Sequence, residues 1–300
     1  MSSITYRKTE PQDFPVTYDI ATEAMTDFRV RQHQIEFHRP PSIQPRDLAM
    51  RQHCYQFHRD GFWVAEHESR IFGFGFAVRQ PGCWYLVGLH VLPSHQGQGI
   101  GRRLLDLTLS IAQPSDTRCC VTDEIQVAAK RLYSRVGMLP WVPLLEWEGN
   151  LPTKLPDTAD DTICLTRDPE QLEHIDHQVL NLTRPIEHAY WLQQPGMACG
   201  LSVADGEPVG YVYVSDTGDI GPLAVSQESL ARPLLAWTLQ RLKDRGADHV
   251  HLKIPGDAPV VQEVVTTLGL TSRAPASALL SSQPLWTAGQ YLPSSGDSIL

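Results

Sequence analysis

The segment Leu89-His-Val-Leu-Pro-Ser-His-Gln-Gly-Gln-Gly-Ile-Gly-Arg-Arg-Leu104 constrains the fold of this 300-residue chain more than any other stretch. It joins a nearly continuous apolar run, Trp84–Leu92, to Ile100, Leu104, Leu107 and Ile111, whose spacing of 4, 3 and 4 marks one face of a helix. A strand that is apolar throughout is buried on both faces, so the sheet needs layers on both sides. Gly97, Gly99 and Gly101 let the backbone approach a ligand closely and turn successive N–H groups one way. The positive end of the helix dipole follows, and Arg102 and Arg103 add charge, so the turn suits a pyrophosphate. Two phosphate loops are excluded. A dinucleotide fold needs G-x-G-x-x-G after its first strand, whereas this run is G-x-G-x-G after the fourth; a Walker loop needs Gly-Lys-Ser/Thr, which is absent.

Before that turn, Ile4–Arg7 reads as a strand, Asp13–Met25 as a helix, and Phe62–His67 and Phe72–Arg79 as strands joined by a turn around Glu68-Ser-Arg70. After it come a short strand, Cys119–Thr122, and a helix marked by Ala129, Leu132, Tyr133 and Val136 and stopped by Gly137. The second half repeats the order: strand 162–166, helix 169–180, strands 200–204, 209–215 and 220–225, helix 230–242, strand 249–254 and helix 260–268. The expectation is an α/β protein of two tandem copies, each a mixed sheet flanked by helices. Their bounds are 1–150 and 162–285, with Glu148–Asp161 as a Pro-containing linker and Pro293–Ser298 as a loose tail.

Charge bears on the ligand. Residues 1–150 hold 16 Lys+Arg and 16 Asp+Glu, while 151–300 hold 9 and 18, so the net −9 lies wholly in the second half. That balance disfavours nucleic acid and places a large anionic ligand on the first half. No apolar run reaches the ~18 residues of a membrane span. The first residues lack a signal core, and six cysteines (54, 83, 119, 120, 164 and 199) without C-x-x-C spacing fit reduced thiols, so a cytoplasmic protein without membrane or nucleic-acid partners is expected.

Gln96-Gly-Gln-Gly99-Ile-Gly101, after a strand ending Val91-Leu-Pro93, resembles the Gln/Arg-x-x-Gly-x-Gly/Ala mark of the GNAT superfamily of N-acetyltransferases. The later helix mark of that family, Ala-x-x-Leu-Tyr-x-x-x-Gly-Phe, is matched by Ala129-Lys-Arg-Leu132-Tyr133-Ser-Arg-Val-Gly137-Met138, with Met for the last Phe and Gln126 for the usual Asn. The resemblance implies transfer of an acetyl group from acetyl-CoA, as co-substrate, to a primary amine by direct attack in a ternary complex, without a metal. It implies that Leu89, Val91, Gln96, Gly97, Gln98, Gly99, Ile100, Gly101, Arg102, Gln126 and Tyr133 contact the donor. Val91 would offer a backbone N–H to the thioester oxygen, and Tyr133 would protonate the departing thiolate. The general base is open: His90, which titrates in the useful range, stands beside Glu66, Glu124 and a water chain as candidates.

Aligned on Val91 and Val225, the halves keep their distance to the next helix end: 46 residues to Gly137 and 44 to Gly269. The second loop is four residues shorter, has no glycine and carries Glu228, and Tyr133 becomes Val265. The second half therefore reads as a GNAT-like copy without catalysis. Two weaker features remain. Arg31-Gln-His33-x-x-x-Phe37-His38-Arg39 recurs as Arg51-Gln-His53-x-x-x-Phe57-His58-Arg59, in the region where the resemblance places the acceptor cleft. His33 and His38 lie about 140° apart on a helix, which does not favour a shared metal. Cys119-Cys120 read as small buried residues, with an acetyl-cysteine route as the alternative. The acidic second half points to a cationic small-molecule acceptor. A non-catalytic acyl-CoA sensor and a transferase of a longer acyl group are the rival functions; oligomeric state is open.

Overall fold

The computed structural model describes residues 4–152, 154–155 and 162–294. Its contacts divide the chain into two compact units, Met1–Arg79 with Cys83–Asp116, and Gln80–Gly82 with Thr117–Leu300.

In the first unit β1 (Thr5–Lys8), α1 (Phe14–Thr26), α2 (Pro45–His58), β2 (Phe62–His67), β3 (Arg70–Gln80), β4 (Cys83–Val91) and α3 (Ile100–Thr108) follow one another. The sheet order is β1-β2-β3-β4. Strands β2 and β3 form a hairpin whose turn residues Glu68 and Ser69 both have positive φ, the geometry that matches strand twist. Phe72-Gly-Phe-Gly-Phe76 then explains the layers. Successive strand residues face opposite ways. Phe76 stacks on Phe62 at 4.5 Å and meets Phe14 of α1 at 6.4 Å, and Tyr55 of α2 closes on Phe14 and Phe62. On the other face, a Cβ at Gly73 or Gly75 would come within 3.1–3.4 Å of Val91, Leu104 or Thr108 atoms, so the two glycines let α3 lie close to the sheet. Trp84, fully buried, donates its indole N–H to Thr108 O at the end of α3.

In the second unit the elements are β5 (Thr117–Asp123), α4 (Val127–Ser134), β6 (Leu139–Asn150), β7 (Ile163–Leu165), α5 (Pro169–Leu180), α6 (Pro185–Gln193), β8 (Met197–Ala204), β9 (Glu207–Ser215), β10 (Asp219–Val225), α7 (Ala231–Asp244), β11 (His249–Pro255), α8 (Pro259–Thr267), β12 (Thr271–Ser281) and β13 (Tyr291–Leu292). The order is β5-β12-β6-β11-β10-β9-β8-β7, with β13 on β10. Neighbours are antiparallel except β10 and β11. The core packs Val212, Leu223 and Val225 against Leu234 and Leu239 of α7 and Val261 and Val265 of α8.

The two repeats exchange strands. β12, from the second repeat, runs between β5 and β6, pairing Leu280 with Cys120 and Leu279 with Val142. β6, from the first repeat, runs between β12 and β11, pairing Trp147 with Leu252 and Ser272. The contact seam therefore falls after Asp116 rather than near the expected boundary at 150. The expected linker begins inside β6, which holds residues 148–150; of its remainder, 153 and 156–161 lie outside the described residues. β13 lies beyond the expected end at 285, and 295–298 of the expected tail also lie outside the described residues.

Candidate functional site

The turn after β4 is open. Leu92 donates its N–H to Phe72 O of β3 at 2.8 Å, so the alternation of the ladder turns the N–H of Val91 to the other side of β4. A single 3₁₀ turn, Pro93–His95, follows, and the Gln96 amide reaches back to donate to Val91 O at 2.8 Å. Gly97 and Gly99 have φ of +76° and +83°, and a Cβ on either would meet nothing within 4 Å. The space above the turn is therefore empty of side chains, and its backbone takes a left-handed conformation suited to glycine. Gly99 is the N-cap of α3 and no side chain caps it; the first helical bond runs from Arg103 N to Gly99 O at 3.0 Å. The amides of Ile100, Gly101 and Arg102 thus have no acceptor within the helix. Ile100 is buried and anchors the helix start, while Gln96, Gln98, Arg102 and Arg103 are exposed around it. Leu89 and Val91 point to the α3 face, next to Gly75 and Gly73.

His90, one residue earlier, faces the opposite layer and lies 5.4 Å from the Phe74 ring. Burial, and then the charges of Arg39 and Arg51, bring its pKa down to about 4. Glu66 and Glu124, the other candidate bases, are already engaged: Glu66 with Arg7 at 2.9 Å and Glu124 with Lys130 at 2.9 Å. All of the expected loop residues, with His90, stand in the first unit.

Tyr133 and Gln126 stand in the second unit, on α4. Gln126 caps that helix with its backbone only. Tyr133 is buried, and burial together with the neighbouring Cys120 raises its pKa above the usual phenol range, so it stays protonated. Burial likewise raises Cys120 well above an ordinary thiol, which removes the thiolate an acetyl-cysteine route needs.

The second repeat is filled where the first is open. Strands β10 and β11 pair in parallel only at Asp219–Ile220. Beyond that point β13 lies along β10, and Val225, the counterpart of Val91, donates its N–H to Gln290 O at 2.9 Å. Gln290 also bonds Ser226 O, and Glu228 accepts from the N–H of Val260 at the start of α8. On the α5–α6 side a polar network is sealed in. Arg184 grips Asp176 through two bonds of 2.7 and 3.0 Å, and His188 Nε2 lies 2.8 Å from the same carboxylate. Tyr211 donates to Asp176 at 2.5 Å, and Arg184 donates to the hydroxyls of Tyr211 and of Tyr291 on β13. Sequence reasoning missed β13 and this network, because the residues involved are scattered over more than a hundred positions and follow no period.

Among the described residues, no group of His, Cys, Asp and Glu could hold a metal ion, and no helix is long and apolar enough to cross a membrane.

Comparison with known proteins agrees with this layout. The acetyltransferase (GNAT) family model matches residues 22–138, which carry the open turn and Tyr133. A mycothiol acetyltransferase of Tsukamurella paurometabola is 28% identical over 218 residues, 60% of this chain and 73% of that one. A solved protein of Pyrococcus horikoshii superposes with a TM-score of 0.73 at 16% identity, covering 100% of this chain and 96% of that one. A tandem GNAT protein from the clavulanic acid biosynthesis pathway superposes at 0.54 and 15% identity, with 94% and 99% covered. At such identities the structural likeness speaks for the fold alone. Residues 22–138 are thus similar to the acetyltransferase (GNAT) family, and the fold of the chain is like that of a tandem GNAT protein.

Proposed function

We propose that this protein transfers an acetyl group from acetyl-CoA to a primary amine, by direct attack within a ternary complex, and that the first repeat alone does so. The observation that carries this reading is the empty, uncapped turn from Gln96 to Arg102 at the end of β4. Its amides and the helix dipole suit the twin phosphates of the donor. When bound, the donor supplies an activated thioester. The N–H of Val91, turned away from β3, is placed to donate to an oxygen that gains charge, and one such donor is worth ~10²–10³ in rate. Tyr133, held protonated, supplies the proton the leaving thiolate needs. His90 stays neutral at pH 7 and accepts a hydrogen bond from the amine. A base near 4 does not deprotonate an ammonium of pKa about 10, so His90 positions the free amine rather than activating it, and the proton leaves to solvent.

The test is thiol release from acetyl-CoA across a broad amine panel, with donor binding followed by calorimetry. Turnover with at least one amine, and one donor bound per chain, are expected; the single site follows from β13 occupying the second cleft. Tight binding without any release would replace the transferase with a sensor. Two donors per chain would refute the closed second repeat. Gly99→Val is expected to raise the donor Kd about tenfold, because a β-branched residue at φ +83° carries a strain of ~1–2 kcal/mol and crowds the turn; an unchanged Kd would place the phosphates elsewhere.

A further inference from the structure

Two arginines of the repeated Arg-Gln-His motif end up beside His90 without a counter-ion. Arg51, on α2, sits over the rings of Phe74 and Phe76 at 6.0 and 5.8 Å and donates to Thr17 Oγ1 at 3.2 Å. Phe74 in turn is the ring next to His90. Arg39 lies over the Tyr18 ring at 4.4 Å and reaches the Met25 sulfur at 3.7 Å, while the Tyr18 hydroxyl holds Pro40 O at 3.0 Å and so fixes the segment that carries Arg39. Among the described residues neither guanidinium is in an ion pair; Asp47, one turn before Arg51, acts on it only at a distance. Burial and the charge of Arg39 bring Arg51 down to about 10, and both charges also lower His90, so the two guanidinium groups lie within electrostatic reach of the imidazole. Like charges kept together on an aromatic floor, partly buried, repel each other and lose hydration. Both forks nevertheless keep free donors, and a guanidinium fork matches the paired oxygens of a carboxylate or phosphate.

We propose that Arg39 and Arg51 form a receptor for an anionic group, a carboxylate or a phosphate, carried by the amine acceptor. The proposal rests on the transferase reading above and names its substrate class. The aromatic rings of Tyr18, Phe74 and Phe76 hold the arginines in place, and the bound anion sets the amine beside His90 and the end of β4. The net negative charge of the second half pointed to a cationic acceptor; the charge beside the acceptor's place is positive, and nearby charge outweighs distant charge once screening is counted.

Matched pairs of amines test this: phosphoethanolamine against ethanolamine, and glycine against glycinamide. Each is titrated calorimetrically into the intact protein and assayed for thiol release from acetyl-CoA. At least one anionic member is expected to bind tenfold or more tightly than its neutral partner, and which pair shows the gap tells phosphate from carboxylate. R51Q and R39Q are expected to bring that ratio toward one. R51K, which keeps charge and packing but loses the fork, is expected to recover only part of it, with R70Q on the exposed β2–β3 turn as the unchanged control. Equal binding within both pairs, or a ratio that survives R51Q and R39Q in folded protein, overturns the proposal. An absence of thiol release with every amine would instead count against the transferase, while the titrations still decide the receptor.

Discussion

Asp176→Ala is expected to lower the stability of the protein by about 3–5 kcal/mol, the usual cost of leaving a buried charge without its partner. Arg184 is fully buried and donates to that carboxylate at 2.7 and 3.0 Å, so the variant takes from a buried cation its anionic partner. For a cooperative unit of this size the loss corresponds to a fall in Tm of roughly 6–20 °C. Thermal unfolding followed by circular dichroism reads it directly, and an unchanged Tm would show that the network does not hold the second repeat. The sign of the pH dependence follows from the same contacts. Burial alone would raise the Asp176 carboxyl, but the charge of Arg184 and the hydrogen bonds from His188 and Arg184 outweigh it and hold it below the usual range. The stability it contributes is therefore complete above the unfolded-state value of about 4 and is lost as pH falls below it. Wild type should lose Tm between pH 4 and lower values more steeply than Asp176→Asn, whose side chain does not titrate there.

Tyr133→Phe is expected to slow thiol release by ~10²–10³, within the range general acid catalysis supplies. The phenol is buried and stays protonated, so the variant removes one proton donor and little else. Donor affinity should change less than twofold, and kcat and kcat/KM should fall together, the pattern of an interaction made only in the transition state. Equal rates for the two proteins would refute the role of Tyr133 and return it to the core of α4. Because burial and Cys120 push the phenol upward, the wild-type rate should show no alkaline decline from this group below pH 10.

What the sequence made readable was local. The apolar run into Gly97-Gln-Gly99-Ile-Gly101 and the 4-3-4 spacing after it specify strand, turn and helix within twenty residues, and the structure has β4, an open turn and α3 there. Helix 169–180 was readable for the same reason: Asp168 caps it and Pro169 starts it. Helix α2 was not, because its apolar stripe is broken by Arg51, His53 and His58. Strand β6 was hidden by Pro140 and Pro143, which argue against a strand inside a sheet. Strand β12 reads Thr-Ser-Arg-Ala-Pro-Ala-Ser-Ala before its first leucine, and only its partners β5 and β6 make it a strand. Long-range pairing of this kind leaves no period to find. Likewise the alignment of Val225 with Val91 exposed the missing glycines, but not the strand that fills their place.

The crossing of β6 and β12 binds the fates of the two repeats. A fragment ending at Asn150 would bare one long side of β5 and both sides of β6, an invitation to pair with any strand at hand. The second repeat is the supplier of a strand, β12, that β5 and β6 of the first repeat both need as a neighbour.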